Sequence, residues 1–281
     1  LQFFLLDIII NIMIIWIASY PKSGNTWVRS FLTNYFSNNK DFNFSLLKKI
    51  NKFPNISLFK ELNINYEKFE EIASNWITMQ DFINLQNKVV YLKTHNAMVT
   101  INGSKFTNKD NTIGFIYLVR DPRDVILSYA DHLGINHQET FDLMTYNYST
   151  EISTSDKDYR SVFLGSWASN YNSWKNFNIS KGLIIKYEDL IKNTEKTFTQ
   201  IIKYLSEIDN ITINQEKIKR CIKNTNFSVL QNLETKTGFS EKGKNIFFRK
   251  GIIGDWKNNL DTKITKKIET IFYKEMKELK Y

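Results

Sequence analysis

Short, continuous apolar runs alternate along the chain with longer stretches whose apolar residues recur every three or four positions. Ile14–Tyr20 is a compact run rich in isoleucine, the pattern of a strand buried on both faces. A helix is predicted from about Thr26, because Val28, Phe31, Leu32, Tyr35 and Phe36 fall on one helical face. Val89–Lys93, Phe115–Val119 and Leu183–Lys186 read as three further strands. After the middle one, Asp121-Pro122 supplies an N-cap and a proline in the first turn, and Gly134 supplies a C-cap. Helices are also predicted over 160–177, Glu188–Leu205, Asn214–Asn224 and Thr262–Leu279, with short ones near 66–75 and 79–86. The glycine- and charge-rich stretch 228–255 reads as an ordered loop.

Strands alternating with helices, without a repeat or a linker, predict a single-domain α/β fold: a doubly wound parallel β-sheet flanked by helices. Ligands on such sheets sit at the carboxyl ends of the strands. The chemistry is therefore expected just after Tyr20, Lys93, Val119 and Lys186.

Composition narrows the choices. Among 281 residues there is one cysteine, Cys221, which excludes an internal disulfide and a four-cysteine zinc site. Its place beside Ile218 and Ile222 reads as core. Three histidines, His95, His132 and His137, leave little for a histidine-rich metal centre. The net charge of +9 fits a polyanionic partner, although joint enrichment in Ile, Lys and Asn also follows from an AT-rich coding sequence. The lysines are scattered, so no nucleic-acid groove is expected. Leu1–Ile17 carries Asp7 and Asn11, is too short for a membrane span and lacks a basic leader. A reduced, cytoplasmic protein is expected. Residues 1–12 are expected to be an extension outside the core, with Met13 the true start and 13–281 the functional domain. The alternative is an N-terminal arm.

Four strand-end segments carry the candidate chemistry. Tyr20-Pro21-Lys22-Ser23-Gly24-Asn25-Thr26-Trp27 runs from strand through a tight loop into a helix. Free N–H groups there bind phosphate-like anions, Lys22 adds charge, Ser23, Asn25 and Thr26 add donors, and Gly24 allows close backbone approach. The order differs from the GxxxxGK[ST] loop of ATP-binding proteins. Lys93-Thr94-His95 offers a candidate general base, or a surface histidine. Arg120, ending a strand, and Ser128, in the second turn of the next helix, can converge on one anion; an ordinary Arg–Asp network is the alternative. Arg249-Lys250-Gly251 forms a second cationic clamp. Trp27, Tyr187 and Phe227 offer aromatic faces for a purine, or core packing.

Together these segments resemble the sulfotransferases that use 3′-phosphoadenosine 5′-phosphosulfate (PAPS), from about Ile14 to the last helix. YPKSGNTW is similar to the family's 5′-phosphosulfate loop, IYLVRDPRDVILSY to its 3′-phosphate segment and FFRKGIIGDWKNNL to its RKGxxGDWKN signature; YLKTH and KYEDL match in place and order. MIIWIASYPKSGNTW resembles the start of short bacterial members. The resemblance implies a P-loop-like fold and sulfuryl transfer from PAPS to a hydroxyl or amine of a small molecule, without a metal. It implies that Lys22 stabilises the leaving phosphate, His95 takes the acceptor proton and Lys93 assists the transferring group. Ser23, Gly24, Asn25 and Thr26 would hold the 5′-phosphate, and Arg120, Ser128, Arg249, Lys250 and Gly251 the 3′-phosphate. Trp27 and Phe227 would sandwich adenine, with Tyr187 and Thr225 at its edge. Asn25 stands where the family usually has Thr, and Asn226 where Ser is common. The family's dimer motif is missing: Asp261-Thr262 stand where Thr-Val would be, and Lys266 where Glu would be, so a monomer or a dimer of another type is expected.

The acceptor pocket is expected from 38–85, 134–160 and 228–247. There Phe53, Phe59, Tyr66, Trp76, Phe82, Phe141, Tyr146, Tyr148 and Phe239 either line a pocket for a phenol, sterol, lipid or other alcohol, or form core. A phosphoryl-transferring P-loop enzyme would carry the absent GxxxxGK[ST]. A non-catalytic nucleotide-binding module would lack Lys22 or His95, and both are present.

Overall fold

The computed structural model describes residues 13–281, apart from 38–39, 66–67, 87, 152–161 and 179. The expectations for residues 1–12, for Tyr66 and for 160–161 lie outside the described residues. The helix predicted over 160–177 starts only at Trp167, because Val162–Phe163 pair as a strand with Thr150–Glu151 and the Ser166 side chain caps the helix. Five parallel strands form the central sheet: β1 (Ile14–Ser19), β2 (Asn51–Lys52), β3 (Val90–Thr94), β6 (Thr112–Val119) and β9 (Lys181–Lys186), in the order β2-β3-β1-β6-β9. The short pairs β4–β5 (Thr100–Ile101 with Ser104–Lys105) and β7–β8 (Thr150–Glu151 with Val162–Phe163) are antiparallel.

Strand β1 is central and buried throughout, which is why its sequence is continuously apolar. Its side chains alternate between two cores. Ile14, Trp16 and Ala18 pack with the cluster containing Trp76, Val125, Trp167, Trp174 and Ile268. Ile15 and Ile17 pack with Val28, Phe31, Leu32, Phe198, Ile201, Leu205, Ile218 and Cys221. The first layer is built by α3 (Phe69–Ser74), α4 (Trp76–Asn84), α5 (Pro122–Leu133), α6 (His137–Thr145), α7 (Trp167–Lys175), α13 (Thr262–Ile271) and α14 (Tyr273–Leu279). The second is built by α1 (Asn25–Phe36), α8 (Tyr187–Lys192), α9 (Thr194–Asp209) and α10 (Gln215–Asn224). This is the predicted doubly wound sheet, and Cys221 is core, as read from its neighbours.

The differences have local causes. The 228–255 stretch is not all loop: α11 (Phe227–Thr237) opens it, with the Asn226 side chain accepting from Val229 N at 2.9 Å and Leu230 buried. Helix α6, unpredicted, starts at a capping box of Asn136 and Glu139. The predicted helix over Glu188–Leu205 breaks at Asn193 into α8 and α9, and that over Thr262–Leu279 breaks at Phe272. Phe272 is buried against Trp167, ring centroids 5.1 Å apart, so packing holds the break. Helix α2 (Ile56–Glu61) and a 3-10 turn over Phe44–Lys49 fill the stretch between α1 and β3, and the short α12 (Trp256–Asn259) precedes α13. Among the described residues no helix is long and apolar enough to cross a membrane.

Candidate active site

Parallel register brings the carboxyl ends of the strands together: Ile17 pairs with Lys93, Ser19 with Leu118 and Val119 with Lys186. One cavity opens there. Lys22, Gly24, Asn25, Thr26, Trp27, Lys93, His95, Arg120, Ser128, Tyr187, Phe227, Arg249, Lys250 and Gly251 all line it. Of the predicted site residues, Ser23 and Thr225 do not. The Ser23 hydroxyl is buried against the Pro21 carbonyl, and the Thr225 hydroxyl donates to the Cys221 carbonyl at 2.8 Å. Thr225 is the C-cap residue of α10, so its side chain is spent on the helix end.

The β1–α1 turn is tight because two residues adopt left-handed backbone, Lys22 (φ 63°) and Gly24 (φ 98°). A Cβ on Gly24 would lie 2.7 Å from the Tyr187 ring, so the backbone approaches that aromatic face closely. The Lys22 ammonium sits over Phe247, 3.6 Å from the ring centroid. Its carbonyl accepts from Arg120 at 3.1 Å, and the other end of that guanidinium donates to the Ile252 carbonyl at 3.1 Å. Arg120 thus ties the first loop to the third and stacks on Tyr187, 4.3 Å from the ring centre.

The loop around Arg249 is held over the strand ends by two carboxylates. Asp124 of α5 accepts from Gly254 N at 2.6 Å and Trp256 N at 3.0 Å. Glu234 of α11 accepts from Phe247 N at 2.7 Å and Phe248 N at 2.9 Å. Arg249 and Lys250 both donate to Asp255, at 3.0 and 2.8 Å. A Cβ on Gly251 would stand 2.3 Å from the Phe227 ring, so glycine is required there. The second arginine of the 120–124 run plays a different part: Arg123 pairs with Asp121 and Glu269 and lies 3.9 Å over Trp256, an ordinary Arg–Asp network.

His95 is buried at the floor. Its Nδ1 donates to the Ser19 carbonyl at 2.8 Å and lies 3.2 Å from the Ser19 hydroxyl. That contact fixes the tautomer and leaves Nε2 as the lone-pair nitrogen. Burial, and then the Lys93 cation, push its pKa well below the usual imidazole value, so His95 is neutral. The Asn25 amide donates to the Ile17 carbonyl at 2.9 Å and to the Ser19 hydroxyl at 3.2 Å, bracing the same corner. Asn170 braces the other side, donating to the His95 carbonyl at 3.0 Å.

Sequence reasoning missed Lys52, His132, Glu241 and Phe247, which also line the cavity. Lys52 pairs in register with Lys93. Glu241 meets Arg29 at 2.8 Å and Lys52 at 3.3 Å. Burial alone would raise its carboxyl, but the Arg29, Lys52 and Lys93 cations hold it well below the carboxylate range. His132 is pushed down to about 3 by burial and by the Lys22 and Lys93 charges. Arg29, on the buried face of α1, was the one available signal: a charge at an apolar helical position demands a partner.

The expected aromatic acceptor pocket is corrected. Phe53, Phe59 and Trp76 are wholly buried, Phe141 and Phe239 are core, Tyr146 and Tyr148 are exposed, and none of them, nor Phe82, lines the cavity. Phe53 and Trp76 instead pack edge-on against Phe106 and serve the first core layer.

Comparison with known proteins agrees with this arrangement. The chain is 27% identical over 268 residues to Sulfotransferase 1B1 of Canis lupus familiaris, covering 92% of this chain and 82% of that protein. It is also 27% identical over 280 residues to Sulfotransferase 1E1 of Homo sapiens, covering 93% and 83%. The fold matches a mouse sulfotransferase, SULT7A1, complexed with PAP, at TM-score 0.58 and 21% identity over 94% of this chain and 85% of that one. It also matches a retinol dehydratase in complex with androsterone and PAP, at TM-score 0.56 and 20% identity over 94% and 80%. The sulfotransferase domain model matches residues 14–280, nearly the whole described chain, and the chain belongs to the sulfotransferase family.

Proposed function

We propose that this chain transfers the sulfuryl group of PAPS to a hydroxyl or amine of a small molecule. The observation that carries the reading is the convergence of two cationic anion sites and a neutral imidazole on one cavity: Lys22 at the α1 N-terminus, Arg120 with Ser128, Arg249 and Lys250, and His95 between strand ends. The donor set fits a nucleotide carrying phosphate at two positions. Trp27 Nε1 and Arg120 Nε are buried donors without a partner among the described residues. Gly24 and Gly251 keep backbone close to Tyr187 and Phe227, flat faces suited to a purine.

PAPS supplies the sulfuryl group and a phosphate leaving group. His95 Nε2 takes the proton of the acceptor as its oxygen bonds to sulfur. Lys22 faces the negative charge that builds on the departing oxygen, and Lys93 offsets charge on the group in transfer. Mainchain N–H groups at the α1 N-terminus, including those of Gly24 and Asn25, hold the 5′-phosphate together with Thr26; Arg120, Ser128, Arg249 and Lys250 hold the 3′-phosphate. Such positioning with fixed charge suffices for an in-line transfer.

Thermal stability with 3′,5′-ADP, 5′-AMP and ATP tests this reading. At 100 times Kd a ligand adds about 2.7 kcal/mol. A shift of several degrees is expected with 3′,5′-ADP and a much smaller one with 5′-AMP. An equal or larger shift with ATP would overturn the assignment.

A further inference from the structure

The acceptor end of this cavity is built of charge. Register pairs Lys52 of β2 with Lys93 of β3, and the two strands meet in parallel, so both side chains leave the same face of the sheet. Glu241 reaches over this edge from the loop after α11. Its ion pairs to Arg29 and to Lys52 are made by the same oxygen, Oε1. Arg29 is itself anchored on the carbonyls of Leu47 and Ile50, at 3.4 and 3.0 Å. These ion pairs occupy Oε1, which leaves Oε2 to meet a ligand. His132 joins the group with a buried Nδ1 that has no partner among the described residues. An apolar acceptor pressed against these groups would desolvate them without replacing their hydrogen bonds, a strong penalty.

We propose that Glu241 and Lys52 bind the acceptor and select compounds with vicinal hydroxyls, a specificity that rests on the sulfotransferase reading above. One oxygen gives its proton to His95 and receives the sulfuryl group. Its neighbour donates to Glu241 Oε2 and accepts from Lys52, since a hydroxyl both donates and accepts. Carboxylate beside ammonium is the pairing that a diol satisfies and a lone hydroxyl does not. Amine acceptors are disfavoured, because among the described residues Lys22, Lys52, Lys93 and the adjacent Arg29 outnumber the Glu241 carboxylate at the end of the cavity that an ammonium would have to enter.

The test measures sulfation by the full chain with labelled PAPS. Catechol and methyl β-glucoside present vicinal hydroxyls from an aromatic and a sugar source. Phenol, 2-methoxyphenol and cyclohexanol each present one. Sites built on hydrogen bonding discriminate steeply, so at least one diol is expected to exceed every single-hydroxyl compound by ~100-fold in kcat/KM. Glu241→Gln should cut that preference ~10-fold or more, chiefly through KM, while the stabilisation by 3′,5′-ADP stays intact. Lys52→Gln, on a strand edge, should do the same and guards against a folding defect in the first variant. The proposal is overturned by single-hydroxyl compounds that match the diols, by a preference unchanged in both variants, or by no sulfation of either diol in protein that 3′,5′-ADP stabilises. Absence of that stabilisation in the unmodified chain would instead sink the underlying reading, and this proposal with it.

Discussion

A histidine held neutral inside a cationic cavity has a measurable thermodynamic signature. The perturbation is acidification from pH 8 to pH 5, compared between the unmodified chain and His95→Gln. In the unfolded chain an imidazole titrates near 6.5, whereas burial and Lys93 depress the folded value well below that. The sign follows from linkage: a depressed folded pKa gives stability that is whole above about 6.5 and declines as the unfolded state takes up its proton. At pH 5 the unfolded imidazole gains RT ln(1 + 10^1.5), about 2 kcal/mol, and a fold that keeps His95 neutral gains nothing. Asp124, Glu188 and Asp209, raised by burial, act in the opposite sense, but they are common to both proteins and cancel in the comparison. Glutamine retains an amide that can donate to the Ser19 carbonyl, and it does not titrate. Urea unfolding at both pH values should show the unmodified chain losing about 2 kcal/mol more than the variant on acidification. Equal losses would refute the claim that His95 is held neutral, and with it the physical basis for its role as base.

Other substitutions probe the remaining parts. Lys22→Ala should abolish turnover and leave the urea midpoint nearly unchanged, because Lys22 is a half-buried loop residue at the cavity wall and not part of the core; normal turnover would remove Lys22 from the leaving-group position. Gly24→Ala forces a Cβ to 2.7 Å from Tyr187 at a positive φ, and should cost about 1–3 kcal/mol in stability and weaken 3′,5′-ADP binding; calorimetry on both quantities checks it. Arg249→Ala should weaken 3′,5′-ADP much more than 5′-AMP, since its anion site is the one that distinguishes the two; a parallel loss of both would place Arg249 elsewhere in the site.

The parts of the fold legible in the sequence are those fixed by local pattern. Continuous apolar runs exposed the central strands, and the Asp121-Pro122 cap with Gly134 bounded α5 at Pro122–Leu133. Much of the cavity was legible too, because residues 22–27, 93–95 and Arg120 directly follow or end strands, and the Arg249-Lys250-Gly251 run carries its charge in one local segment. The failures share a cause. The breaks at Asn193 and Phe272 interrupt apolar periodicity that continues on either side, so only tertiary packing marks them. Lys52 stands on a two-residue strand whose place is set by pairing with Lys93, and Glu241 lies in a loop whose path is set by the carboxylates of Glu234 and Asp124. Neither position has a local signal. The aromatic residues assigned to an acceptor pocket carried no information on where they would fall: Phe53, Phe59, Trp76 and Phe141 went to the core, and Tyr146 and Tyr148 to the surface.

The charge that draws an anion into this cavity also suppresses the base beside it. Burial lowers the affinity of His95 for protons most and Lys93 lowers it further; burial and then Lys22 and Lys93 do the same at His132. An imidazole kept far below neutral pKa is a weak base. Phosphate bound at the α1 N-terminus brings negative charge next to these lysines and offsets their effect on the ring, so the folded pKa of His95 must rise when nucleotide binds. Base strength is then coupled to occupancy of the donor site, and an empty site holds a poorer base than a filled one. Side-chain NMR of labelled histidines, titrated with and without saturating 3′,5′-ADP, reads this directly. His95 should titrate at higher pH in the complex, and His132, which lines the same cavity, should move in the same direction. A His95 titration that is unmoved by the ligand would mean that the anion binds too far from Lys22 and Lys93 to alter their field, and that these lysines do not face the transferring group.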